Sequence, residues 1–194
     1  MFYLGLELLI PKDVFSPGGH GNFHPTVHDE VKPTDRVLDM GTGSGIVAIL
    51  AAARSADVVA VDINPKAVEA ARANAALNGV ADRITFAVSD VFDAVEGDFD
   101  LIVFDPPFRW FKARDLLELS HTDENYRALT RFMREARQRL RPGGRILLNF
   151  GTSGDIDYLY HLIDEAGLNK EVLATDELDT EDLTVTYYVF RLTA

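Results

Sequence analysis

The chain of 194 residues contains no cysteine, three methionines and a single tryptophan. Without cysteine there are no disulfides and no thiolate metal sites, which fits a reducing compartment and leads us to expect a cytoplasmic protein. Basic residues are scarce: 19 Lys and Arg face 31 Asp and Glu, a net charge of −12. A protein that grips bare duplex through phosphates normally presents a basic face, and this chain has at most a local patch. Its arginines do cluster, at Arg127, Arg131, Arg134, Arg137, Arg139 and Arg141. We read them as one solvated helix face. Long apolar runs are also missing. The longest, Ile46 to Ala53, stops at Arg54, far short of a membrane span. The apolar start, Met1 to Ile10, lacks a basic flank and carries Glu7, so it does not read as a signal peptide.

The length suits one domain with a short extension, long enough to bury a real core. Hydrophobic residues make up 47% and charged residues 26%, an ordinary globular balance. Residues 1–34 read as a preamble, with a strand over Tyr3 to Ile10 and a loop rich in Pro, Gly and His from Pro11 to Pro25. From Asp35 strands and helices alternate. Strands are expected at Arg36–Met40, Val58–Ile63, Ile84–Val88, Phe99–Phe104, Arg145–Phe150, Glu171–Ala174 and Thr184–Leu192. Helices are expected at Gly45–Ser55, Pro65–Asn78, Asp123–Leu140 and Asp155–Ala166. Asn64 caps the second of these, with Pro65 at its first position and Asn78-Gly79 at its end. The βαβ order implies an α/β fold with a mainly parallel sheet covered on both faces. The last two strands, with no helix between them, imply an antiparallel hairpin at one edge.

Four motifs carry chemistry, each at the carboxyl end of a strand. Asp39-Met-Gly41-Thr42-Gly43-Ser-Gly45 lets the backbone turn tightly and approach a ligand. It departs from the dinucleotide fingerprint G-x-G-x-x-G, whose third glycine would fall on Ile46. The acid just before the turn would repel a pyrophosphate and attract a cationic amino-acid tail. The pattern therefore favours a nucleoside carrying an ammonium and a sulfonium. Asp62, followed by Ile63 and 17 residues beyond Gly45, stands where a ribose-binding carboxylate belongs. Asp90 and Val91 are placed to address an adenine amine and ring. Phe104-Asp105-Pro106-Pro107-Phe108 forms a rigid loop in which Asp105 and the Pro106 carbonyl are both acceptors for a planar amine, and Phe108 is a face for it to stack on.

With these motifs in hand, the chain from Asp35 onward resembles the class I S-adenosylmethionine (SAM) dependent methyltransferases. Leu140-Arg-Pro-Gly-Gly144 is similar to their late motif, and Asp-Pro-Pro-Phe to the (Asn/Asp/Ser)-Pro-Pro-aromatic signature of the amino-methylating branch. Release-factor glutamine methyltransferases share the Pro-bearing loop Val14-Phe-Ser-Pro17, and ribosomal guanine-N2 methyltransferases share Phe-Asp-Pro-Pro-Phe-Arg. The resemblance implies a Rossmann-like seven-stranded sheet and a SAM-binding methyltransferase domain over residues 35–194. Residues 1–34 would supply a strand and a substrate-proximal loop. It implies SAM as cofactor, S-adenosylhomocysteine as product, and transfer to an amine or amide nitrogen of a protein, nucleic acid or small molecule. Asp39, Gly41, Thr42, Gly43, Gly45, Asp62, Ile63, Asp90 and Val91 would hold the cofactor. Asp105, Pro106, Pro107 and Phe108 would hold the acceptor. The glutamine enzymes carry Asn where this chain has Asp105, and an ionised carboxylate accepts but cannot donate. The ribosomal enzymes are usually basic, so the charge leans the acceptor toward a protein, peptide or small amine.

Two other readings carry less. A SAM-binding partner subunit without catalysis would not need an intact Asp-Pro-Pro-Phe box, and a nicotinamide oxidoreductase is disfavoured by Ile46. His20, His24 and His28 are spaced by four, but Gly18, Gly19, Gly21 and Pro25 argue against a continuous helix there. No metal site is expected; one of these histidines, or Trp110, is a candidate for touching substrate.

Overall fold

The computed structural model describes residues 1–17, 21–179 and 184–194, with Leu116 and Leu119 described by backbone alone. Nine strands and six helices are found among them. They are β1 (Phe2–Tyr3), β2 (Leu6–Glu7), α1 (Phe23–Glu30), β3 (Arg36–Met40), α2 (Ile46–Ala52), β4 (Asp57–Asp62), α3 (Pro65–Leu77), β5 (Ile84–Val88), β6 (Phe99–Phe104), α4 (Leu116–Leu119), α5 (Arg127–Ala136), β7 (Leu140–Gly151), α6 (Ile156–Glu165), β8 (Asn169–Asp179) and β9 (Thr184–Thr193). Seven strands form one sheet in the order β5-β4-β3-β6-β7-β9-β8. The first five are parallel; β9 runs antiparallel to β7, and β8 to β9. The strand order reverses at β3, with β4 on one side and β6 on the other, so a crevice opens at their carboxyl ends.

Alternation along the strands fills two cores. Leu38, Ile102, Phe104, Ile146 and Leu148 face α5 and α6. Val37, Leu101, Val103 and Leu147 face α1 and α2. Because both faces are covered, the strands read as continuous apolar runs. All seven residues of α2 are buried. Phe132 of α5 is fully buried between Phe92 and Phe104, with ring centroids at 5.6 and 4.5 Å. Phe132→Ala is expected to cost about 3–5 kcal/mol in urea denaturation; a loss under about 1 kcal/mol would mean that the cluster collapses around the gap.

The preamble differs from the expected strand and loop. Leu4 and Gly5 take left-handed backbone angles (φ 49° and 78°), so the chain doubles back as a hairpin rather than running on as one strand. Asn78 and Asn74 of the α3 end then hydrogen-bond the backbones of Glu7 and Leu9. The loop is also shorter than Pro11 to Pro25, because α1 begins at Phe23. Pro25 falls in its first turn, where a missing N–H is tolerated. Phe23, Val27 and Val31 join the core beside α2. A network of ions anchors the α1 end: buried Arg145 of β7 reaches Asp35 at 2.9 Å and the Glu30 carbonyl, and Arg191 of β9 reaches the Glu30 carboxylate at 2.6 Å.

The helix expected at Asp123–Leu140 is regular only from Arg127 to Ala136. Asn125 and Tyr126 both have positive φ, which breaks the helix at its start, and Leu140 already pairs with Phe99 as sheet. The Asp123 carboxylate accepts from the Ala128 and Leu129 amides at 2.9 Å each. Among the described residues no helix is long and apolar enough to cross a membrane.

Candidate active site

A cavity of about 810 Å³ lies at the carboxyl ends of β3 to β6. Asp39, Gly41, Thr42, Gly43, Asp62, Ile63, Asp90, Val91, Asp105, Pro106, Pro107 and Phe108 all line it. Gly45 and Trp110 do not. Gly45 instead lets α2 approach α3: a Cβ there would lie 2.8 Å from the Ala71 Cα.

The glycine turn is held by its own acids. Buried Asp39 accepts through Oδ2 from the Thr42 hydroxyl at 2.6 Å and the Ala48 amide at 3.0 Å. Thr42 thus shapes the turn. Asp62 accepts from the Gly43 amide at 2.9 Å and, through its other oxygen, from the Asn64 amide at 2.8 Å. Gly43 has φ 52°, and a Cβ on it would meet no atom closer than 4.0 Å. The space beside this backbone is open to a ligand.

At the end of β5, Val91 takes a left-handed φ of 50°, a genuine outlier for a β-branched residue. Ser89 steadies it, donating to the Val91 carbonyl at 2.8 Å and accepting from the Ala94 amide at 3.0 Å. Asp90 is gripped from outside by Arg127, and the Asp90 carbonyl by Arg131. At the end of β6, the Asn149 side chain donates to Asp105 at 2.9 Å. The Phe108 ring is fixed against Phe150 and Tyr187, at centroid distances of 5.1 and 5.9 Å.

Of the carboxyls that line the cavity, Asp39, Asp62 and Asp105 have no cationic partner among the described residues. Burial pushes Asp39 up to about 7, against its two hydrogen bonds and with further upward push from the Asp62 and Asp105 charges. Desolvation also raises Asp62. Asp105 opens onto the cleft, yet the protein packed around it pushes its carboxyl up to about 6 against the hydrogen bond from Asn149. The carboxyls at the ends of β3, β4 and β6 suit a cation-bearing group, while Arg109, Lys112 and Arg127 also line the cavity.

The sequence patterns missed Asn149, Phe23, Asp176 and Tyr187, which line the same cavity from β7, α1 and the β8–β9 hairpin. None belongs to a motif. His24 and His28 do share α1, but His24 faces the cavity with its Nδ1 3.1 Å from the Tyr3 hydroxyl, while His28 pairs with Asp29 at 3.2 Å. Burial lowers His24 to about 4, so its ring is neutral near pH 7. His20 lies outside the described residues. Among the described residues no group of His, Asp and Glu could hold a metal ion.

The fold recurs in the tRNA m1G37 methyltransferase of Methanocaldococcus jannaschii, with a TM-score of 0.73 and 21% identity over 100% of this chain and 56% of that one. This is the Rossmann-like methyltransferase architecture. A family model, the methyltransferase small domain, matches residues 23–158, and the chain belongs to that family. It is 31% identical to a putative protein N5-glutamine methyltransferase of M. jannaschii, over 93% of this chain and 94% of that protein. It is 40% identical to ribosomal RNA small subunit methyltransferase C of Chromohalobacter salexigens, over 74% of this chain. The chain spans only 41% of the length of that relative. Membership in a methyltransferase family brings SAM as methyl donor.

Proposed function

We propose that the protein transfers a methyl group from SAM to a planar amine or amide nitrogen held by the Asp-Pro-Pro-Phe box. The observation that carries this reading is the meeting of Asp105 to Phe108 with the Gly41–Gly43 turn and Asp62 in one cavity. Gly41 and Gly43 would pass beside the amino-acid tail of the cofactor, with Asp39 near its ammonium. Asp62 would accept from the ribose hydroxyls beside Ile63, and Asp90 from the adenine amine with Val91 against the ring.

When bound, SAM supplies an activated methyl on a sulfonium. The chain's own part is positioning. Asp105 and the Pro106 carbonyl accept the acceptor's N–H groups, which turns the nitrogen lone pair toward the cofactor side. Phe108 offers the stacking face, and Pro107 stiffens the loop. For methyl transfer from the sulfonium to this nitrogen, Asp105 would be in place to take the proton the nitrogen releases.

The acid surface leans the acceptor toward a protein, a peptide or a small amine. Incubation with methyl-labelled SAM and a cell extract, followed by separation into protein, RNA, DNA and small molecules, tests this. Label confined to one fraction names the acceptor class. SAM binding without any labelled fraction would favour a non-catalytic partner subunit.

Asp39 gives a second test. Its folded-state value near 7 lies above the usual ~3.9. Its contribution to stability is therefore complete below ~3.9 and lost as pH rises through about 7. Above that pH the carboxylate attracts an ammonium. S-adenosylhomocysteine should bind more tightly at pH 8 than at pH 6 by calorimetry, and Asp39→Asn should flatten that dependence. An Asn variant with the wild-type pH profile would remove Asp39 from the ammonium site.

A further inference from the structure

The six arginines read in the sequence as one solvated face do different things. Arg139 stacks over Phe92, Arg137 reaches the Ala166 carbonyl, and Arg141 pairs with Asp100. Arg127 and Arg131, on the first turns of α5, both reach back to the turn after β5. Arg127 engages both carboxylate oxygens of Asp90, at 3.0 and 3.2 Å. Arg131 donates to the Asp90 carbonyl at 3.0 Å and to the Asp93 carboxylate at 2.6 Å. A two-pronged guanidinium contact fixes orientation as well as charge. The turn held this way contains the strained Val91.

The residue before Arg127 holds the other side of the cavity. Buried Tyr126 sits at φ 51°, beside Asn125 at φ 55°. Its hydroxyl donates to the Phe108 carbonyl at 2.8 Å and accepts from the Asp155 amide at 2.7 Å. Its ring stacks on Tyr158 at 5.5 Å, and the Asn125 amide donates to the Trp110 carbonyl at 3.1 Å. Backbone strain in large residues persists only where the surroundings over-determine it, and such strain clusters at working sites. Asn125 and Tyr126 lie just before α5, and Val91 lies in the turn that Arg127 and Arg131 of α5 grip.

We infer that Tyr126 and Arg127 are positioning residues that couple the two lobes of the cavity, the start of α5 gripping the Asp90–Val91 turn with one and the Phe108 end of the acceptor box with the other. The inference rests on the cofactor reading given above, in which a nucleoside seats against Asp90 and Val91. A nucleoside there restrains the turn, the bidentate contact carries that restraint to Arg127, and the Tyr126 hydroxyl carries it to Phe108. The acceptor box then stiffens when the cofactor arrives, so that cofactor binding prepares the acceptor site.

Trp110, the only tryptophan, lies two residues past Phe108 and outside the cavity lining. Its emission therefore reports the acceptor loop, where its ring neighbours Phe111 and Tyr126. The experiment adds S-adenosylhomocysteine to the full chain, measuring affinity by calorimetry, Trp110 emission, and hydrogen exchange at Phe108 to Phe111. In the wild type, saturation should change the emission and slow exchange in that segment by about fivefold or more. Tyr126→Phe and Arg127→Gln should bind the same ligand within about tenfold yet lose the loop response. Arg134→Gln, an exposed position on the same helix, should keep it. A purely structural role would lower stability without separating ligand binding from the loop signal. Binding with no loop response in the wild type, or full responses in both variants, overturns the coupling alone. Failure of the wild type to bind S-adenosylhomocysteine overturns the cofactor reading, and the coupling with it.

Discussion

Asp105→Ala is expected to lower methyl transfer by on the order of 10²-fold or more while leaving S-adenosylhomocysteine affinity within a few-fold. Asp105 belongs to the loop after β6, whereas the residues assigned to the cofactor come from the ends of β3, β4 and β5. Truncation removes one of two acceptors for the incoming nitrogen and leaves the glycine turn untouched, since Asp39 and Asp62 hold it. Asp105→Asn separates shape from charge. The amide oxygen can still accept from Asn149, but its NH₂ meets the acceptor amine as donor against donor. Activity of this variant should fall less than that of the Ala variant. The pH profile is the sharper readout. With its carboxyl pushed up to about 6, Asp105 loses its charge as pH falls through that value. Wild-type turnover should drop below pH 6, and the Asn variant should lack that limb. Loss of cofactor affinity in a folded Ala variant, or an unchanged acid limb in the Asn variant, would remove Asp105 from the acceptor site.

The second large effect separates two glycines of one motif. A Cβ at Gly45 would lie 2.8 Å from the Ala71 Cα and 2.9 Å from its Cβ, at φ 88°. Gly45→Ala combines left-handed strain with forced separation of α2 from α3, a cost of about 2–5 kcal/mol. In a chain of this size that lowers the melting temperature by roughly ten degrees. Gly43→Ala meets no such wall, and its backbone strain costs about 1 kcal/mol. Its methyl would instead enter the space assigned to the cofactor tail and weaken binding by about tenfold or more, equivalent to about 1.4 kcal/mol. Thermal melts with and without S-adenosylhomocysteine read both quantities. Equal loss of stability in the two variants would show that the motif is uniformly structural; a Gly43→Ala protein with full affinity would place the ligand elsewhere.

Much of the molecule is legible in the sequence. The strands β3 to β6 and the helices α2 and α3 follow from apolar runs broken by Gly, Asn and Pro, because those patterns report burial and chain reversal at the scale of one element; α4 carried no such signal, and β7 begins at Leu140 rather than at the expected Arg145. Asp39, Asp62, Asp90 and Asp105 could be picked out because each stands where an apolar strand ends, and parallel strands end on one edge. The preamble was legible only in part. The hairpin at Leu4-Gly5 is stabilised by Asn74 and Asn78, and α1 by a core shared with α2; both supports come from elsewhere in the chain.

Local pattern by itself determined the α/β class and the antiparallel end of the sheet, and it singled out the glycine turn and the Pro-Pro box that the fold brings to one cavity. Tertiary structure alone decided which glycine packs and which faces open space, and that Asn149 holds Asp105. It also turned Arg127 and Arg131 from a solvated face into clamps on the Asp90 turn, and aimed the Tyr126 hydroxyl at Phe108. The reason is physical. Burial periodicity and turn propensity are written into neighbouring residues. The partner of a long polar side chain, and the room beside a glycine, depend on what the sheet order brings across from 18 to 44 residues away for the Tyr126–Phe108, Gly45–Ala71, Arg127–Asp90, Arg131–Asp90 and Asn149–Asp105 contacts.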